Sequence, residues 1–165
     1  DAEEIQTLDI LEKIRHWDQE IDSTLELDEK GRYQQKILKS LEVFYESFPD
    51  NKTLRKPFVL ALNNMAWLKL CQGEVRQAQN LLAKGAAMKM DLPALRCNLA
   101  HCALLEGNAS EALAGYEKLY GEKNESNTDF RKVIQEDIKK FKSYGVLPEG
   151  VFQTLDTAGI LKFAK

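Results

Sequence analysis

The apolar positions of this chain recur with helical period along almost all of its length. Ile10, Ile14, Trp17 and Ile21 step by four, three and four, which places them on one stripe of a first helix. A second stripe runs through Tyr33, Ile37, Leu41, Phe44 or Tyr45, and Phe48, and ends at Pro49-Asp50-Asn51. Leu25, Leu27 and the stretch from Asp28 to Gly31 read as the connection between the two. Thr53 is placed to cap a third helix, with Pro57 in its first turn, where a missing N–H is tolerated. Gly73 breaks that helix just after Gln72, and a fourth runs from about Glu74 to Met88. Asp91 then caps a fifth, with Pro93 in its first turn, and Gly107-Asn108 closes it. A sixth runs from about Ala109 to Tyr120 and stops at Gly121. Residues 121–128 are a polar linker, after which Thr128 caps a long helix striped by Phe130, Ile134, Ile138 and Phe141 and ended by Gly145. Pro148 opens a last helix carrying Val151, Leu155 and Phe163. Strand-like alternation is never sustained, so the pattern predicts an all-α fold of about 7–8 helices.

Within this pattern the chain repeats itself at an offset of 34 residues. That offset pairs Gly73 with Gly107, Asn64 with Asn98, Ala66 with Ala100, Leu70 with Leu104, Ala78 with Ala112 and Lys84 with Lys118. Met65 with Leu99, Gln72 with Glu106 and Leu82 with Tyr116 are near matches. A period of this length is that of a stacked helix–turn–helix unit. Small residues at Ala66, Ala78, Ala100 and Ala112 let two backbones approach closely, and Gly73 and Gly107 accept the left-handed conformation that ends a helix.

These residues resemble the tetratricopeptide repeat family, with units at about 59–90 and 93–122. Leu62, Met65 and Leu99 match its large packing positions, and Leu82 and Tyr116 its aromatic or aliphatic position on the second helix. Gly85 stands where the family usually has Ala, Arg96 where it has a large apolar residue, and the closing Pro is missing from both units. The resemblance implies a right-handed solenoid of antiparallel hairpins forming one domain over residues 1–165. Residues 1–50 would be an N-terminal hairpin, 51–122 the two repeats, and 123–165 the C-terminal capping helices. Two repeats alone leave an apolar face open at each end, so the flanking helices are expected to cap them.

Composition narrows the class. No apolar run approaches the roughly 20 residues that span a bilayer, and no secretory signal pattern is present. The first residue is Asp1 rather than Met, so a trimmed or processed chain, or a domain of something longer, is expected. Cys71, Cys97 and Cys102 are an odd number on apolar helix faces, which reads as reduced, buried thiols in a cytoplasmic setting. Sequons at Asn51, Asn108 and Asn124 are short enough to arise by chance. Residues 1–30 hold 11 acidic and three basic side chains, a net of −8, while the remainder carries +5. A solvated first helix accounts for this; the sharper alternative is an acidic arm that docks on a basic surface.

No phosphate-binding loop, zinc-peptidase motif, nucleophile elbow or paired-cysteine signature occurs. Cys97 and His101 lie four apart on one helix face, the best beginning of a metal or nucleophile site. Cys71, the nearest further ligand, would stand about 12 Å along a parallel helix, too far for one tetrahedral zinc. No third group is evident to orient the histidine, so neither metal nor cofactor nor catalytic residue is expected. Arg131, Lys132, Lys139, Lys140 and Lys142 surround their helix and are diluted by Glu136 and Asp137; with a net charge of −3, nucleic acid is not an expected partner.

In proteins of the family this chain resembles, ligands lie on the concave face of successive first helices. Mapped here, that face holds Asn63, Trp67, Leu70 and Cys71 from one unit and Cys97, His101, Leu104 and Leu105 from the next. Asn98, with its repeat mate Asn64, fits one position of the family's carboxylate clamp, but Asn63, Cys97 and Trp67 fill the others, so the clamp is incomplete. The resemblance therefore implies a non-enzymatic interaction module, a scaffold or adaptor holding a protein or peptide through Asn63, Trp67, Cys71, Cys97, Asn98, His101 and Leu105. The alternatives are a small chaperone for a secreted or assembling client and an accessory domain of a larger enzyme. Trp67 could instead be covered by the N-terminal hairpin.

Overall fold

A computed structural model describes residues 1–160, and Phe163, expected in the last helix, lies outside them. The described residues are all-helical: α1 Ala2–Ser23, α2 Leu27–Ser47, α3 Arg55–Cys71, α4 Val75–Ala87, α5 Pro93–Leu105, α6 Ala109–Glu117, α7 Phe130–Ser143 and α8 Val151–Thr157. No helix among the described residues is long and apolar enough to cross a membrane.

Hydrophobic pattern sets the layering. The run of α3, FVLALNNMAWLKLC, and that of α5, LRCNLAHCALL, have no continuous polar face. A helix apolar on all sides has to be central, and both are flanked on more than one side. α3 packs against α2, α4, α5 and α7, and α5 against α3, α4 and α6. α4 and α7 carry sharply one-sided stripes and sit at the periphery. One cluster of buried side chains joins α1, α2 and the first half of α3 through Ile10, Ile37, Leu41, Phe44 and Leu62. The second extends from Ala66 and Leu70 of α3 to Leu155 of α8.

Four helices end in the same turn, the last of them α8 at Gly159, where the Ile160 amide returns to the Leu155 carbonyl. Gly73, Gly107 and Gly145 have φ of +77°, +85° and +71°. After each, the next amide donates back to the carbonyl of Lys69, Ala103 or Phe141, the six-to-one bond of a Schellman cap. The first two turns are 34 residues apart; the third comes 38 after the second. The four additional residues and the long linker bring α7 in out of register with the 34-residue pattern. Asn124 orders that linker, its Oδ1 accepting the amides of Ser126 and Thr128.

Several local expectations need correction. Gly31 lies inside α2, which starts at Leu27, so the α1–α2 connection is only Thr24–Glu26. Thr53 does not cap α3; Asn51 Oδ1 accepts the Leu54 amide instead. Asp91 does not cap α5, because its carboxylate is drawn to Arg96 at 2.9 Å. Arg96 also forks onto Glu122 at 3.0 and 2.9 Å, which explains an arginine where an apolar residue would otherwise pack. Asp129 rather than Thr128 caps α7. α8 begins three residues after Pro148, because Gly150 at φ +79° interrupts the backbone.

The α5–α6 crossing brings two backbones close together. A Cβ at Gly115 would lie 2.9 Å from that of Ala100, one turn beyond the Ala100–Ala112 crossing read from the sequence. Ala100→Leu should therefore overpack this crossing and lower stability by roughly 1–3 kcal/mol in urea unfolding. An unchanged midpoint would mean that the crossing has room to open.

Candidate functional site

The face expected to be an open groove carries α7. Its apolar stripe, read from Phe130, Ile134, Ile138 and Phe141, is fully buried. Phe141 packs between the two central helices, its ring centroid 5.1 Å from that of Trp67 and 5.0 Å from that of His101. Lys140 sets its ammonium over the Trp67 ring at 5.6 Å. The chain's own C-terminal segment thus covers much of this face, and the N-terminal hairpin faces Trp67 across a shared cavity.

The residues mapped to the face separate into two groups. Cys71, Cys97, Asn98, His101 and Leu105 are buried. Asn98 spends its amide on α3, Nδ2 donating to Asn63 Oδ1 at 2.9 Å, so both asparagines are committed to the α3–α5 contact. Trp67 alone among the seven is half-buried. One edge of its ring lines a cavity of about 520 Å³ shared with Ile21 and Asp22 of α1, Lys30 of α2, Asn64 and Lys140. A second cavity of about 530 Å³ lies toward the start of α7, lined by Leu60, Asn63, Asn64, Pro93 and Phe130. The exposed Asn64 borders both.

Around His101 the structure assembles more than the sequence led us to expect. The imidazole is fully buried. Its Nδ1 lies 2.7 Å from the Tyr116 hydroxyl, its Nε2 3.0 Å from Asp137 Oδ2, and Cys97 Sγ stands 3.5 Å from the same Nε2. The third group absent from the sequence reading is therefore Asp137, delivered by α7, and Cys71 is not part of the cluster. Asp137 was legible in one respect: it lies three residues after Ile134 and four before Phe141, an acid inside an apolar stripe.

The electrostatics follow from this enclosure. Burial works against a charged imidazole, but the oxygen of Tyr116, the sulfur of Cys97 and the carboxylate of Asp137 together hold His101 well above the ordinary histidine range. Burial pushes the Cys71 thiol to about 12 and that of Cys102 to about 11, and the Tyr116 phenol to about 12. Cys71 and Cys102 should accordingly stay protonated at neutral pH and react slowly with thiol reagents. Cys97 and Asp137 both address Nε2. A nucleophile relay places thiol and carboxylate on opposite ring nitrogens, and here the opposite nitrogen belongs to Tyr116.

Comparison with protein-family models, curated proteins and solved structures found no match.

Proposed function

We propose that this chain is a non-enzymatic protein–protein interaction module of tetratricopeptide-like, right-handed solenoid architecture, serving as a scaffold or adaptor. The recurrent glycine-ended hairpins and the small residues at their crossings support the architecture. The observation that carries the function is the open edge of Trp67. A half-buried indole in a cavity rimmed by Asp22, Lys30, Asn64 and Lys140 joins an aromatic anchor to a polar rim of both signs. Anchors of that kind supply most of the energy of peptide recognition. The partner is a protein segment with an apolar side chain flanked by charges, lying along the opening that α7 leaves beside α3. This narrows the groove to Trp67 and Asn64, with the buried Asn63, Cys97, His101 and Leu105 supporting it from beneath.

Asn64 is the position for a test because it is exposed and borders both cavities. A photocrosslinking side chain at Asn64 should capture a defined set of proteins that the same group at the exposed Gln35 of α2 does not. Asn64→Arg should abolish that capture while leaving the melting temperature unchanged. Equal capture from both positions, or capture indifferent to Asn64→Arg, would remove this face from the function.

A further inference from the structure

We propose that Cys97, His101 and Asp137 form a binding site for a divalent transition-metal ion, zinc being the best match, which fastens α7 to α5. Three different ligand types converge: a thiol, an imidazole nitrogen and a carboxylate oxygen, with all three donor atoms within 4.8 Å of one another. Zinc ligands at about 2.0–2.3 Å from a tetrahedral ion stand about 3.3–3.6 Å apart. The observed 3.5 Å from Cys97 Sγ to His101 Nε2 and 3.0 Å from Nε2 to Asp137 Oδ2 need only small adjustments to reach that spacing.

Hydrogen bonding alone makes poor use of this arrangement. A single Nε2–H can satisfy either the sulfur or the carboxylate, yet both are aimed at it. The opposite nitrogen supplies an independent observation. With Nδ1 2.7 Å from the Tyr116 oxygen, an Nδ1–H donated to that oxygen fixes the ring so that Nε2 faces Cys97 and Asp137. Ligating histidines are oriented by their second nitrogen in this way. Charge also balances: a Cys97 thiolate and the Asp137 carboxylate offset a dipositive ion, so the buried site carries no net charge. On binding, Cys97 gives up its thiol proton and His101 its Nε2 proton to solvent, and the freed sulfur and Nε2 lone pairs form the bonds to the metal; no oxidation is involved. Asp137 is the least enclosed of the three, with its side chain 15% exposed, and provides the side from which ion and solvent enter. Nitrogen, sulfur and oxygen donors together suit zinc, and cobalt(II) as its spectroscopic substitute, over magnesium or calcium.

The test uses the full chain, stripped with a chelator, dialysed and titrated with cobalt(II) and then zinc. One cobalt per chain should bind with a thiolate-to-metal charge-transfer band, which zinc displaces, and zinc should raise the melting temperature. Asp137→Asn preserves an oxygen that accepts the Nε2–H and so keeps the hydrogen bond, but removes the negative ligand. Cys97→Ser removes the thiolate at nearly constant volume. Each should weaken binding at least tenfold, whereas Cys71→Ser and Cys102→Ser should leave the band intact. Absence of one-to-one binding and of the band in the unmodified chain would overturn the proposal, leaving a buried hydrogen-bond cluster. So would a band that survives in Cys97→Ser or disappears in Cys102→Ser. If Asp137→Asn or Cys97→Ser fails to fold, the two control cysteine variants still locate the thiolate.

Discussion

Phe141→Ala should lower folding stability by about 3–5 kcal/mol, the range for removing a buried aromatic ring that its neighbours cannot replace. The ring is fully buried at the meeting of α3, α5 and α7. It meets the His101 ring edge-on at 87° and lies tilted at 43° against Trp67, so its loss removes two ring contacts as well as apolar burial. The void would open beside a buried imidazole and the Asp137 carboxylate, and water entering it would weaken their pairing as well. Trp67→Ala should cost less, about 3 kcal/mol, because the indole already borders an open cavity. Chemical denaturation of both variants decides the matter. A loss below 1 kcal/mol for Phe141→Ala would mean that α7 is loosely held and that the face beneath it is accessible. Partner capture, measured per folded molecule, should fall for Trp67→Ala and hold for Phe141→Ala if recognition uses the indole's open edge.

The difference between what was legible in the sequence and what was not follows from the range of the forces involved. Helix existence and the turns at Gly73, Gly107 and Gly145 were readable, because period and left-handed glycine are local properties. Caps were read less well. Thr53, Asp91 and Thr128 each had the right side chain, but Asn51 and Asp129 reached the orphan amides first and Asp91 was claimed by Arg96. The character of α3 and α5 as central helices was also present in the sequence, in their lack of a polar face. The position of α7 was not, since it depends on where a long linker delivers an amphipathic helix, and no 34-residue match guides it. The His101 cluster was therefore only half visible. Cys97 and His101 are neighbours by helical spacing, whereas Asp137 and Tyr116 arrive through tertiary packing. Asp137 within an apolar stripe was the one local sign that a buried partner awaited it.

Removing residues 1–50 should have the larger effect, abolishing cooperative unfolding and producing aggregation at concentrations where the full chain stays in solution. The buried side chains Ile37, Leu38, Leu41 and Phe44 of α2, with Ile10 of α1, cover Leu54, Ala61 and Leu62 at the start of α3. Tyr45 stacks on Phe58 at 5.2 Å and donates its hydroxyl to the Asn51 carbonyl, and Asn51 in turn donates to Glu3. These contacts tie both N-terminal helices to the entrance of α3 rather than leaving them as an arm. Deletion would expose a contiguous apolar surface on a helix with no polar face to turn outward, and a surface of that kind recruits other copies. On the proposed stacked-hairpin architecture the result is the same, because a terminal unit is what presents the polar outer face. Dye binding to exposed apolar surface should rise, and the thermal transition should broaden or vanish. A fragment 51–165 that remained monomeric and unfolded in one sharp transition would instead show that the second cluster, from Ala66 to Leu155, is an autonomous core. The acidic N-terminal hairpin, with the exposed Ile5 and Leu8 of α1, would then be the part free to engage a partner.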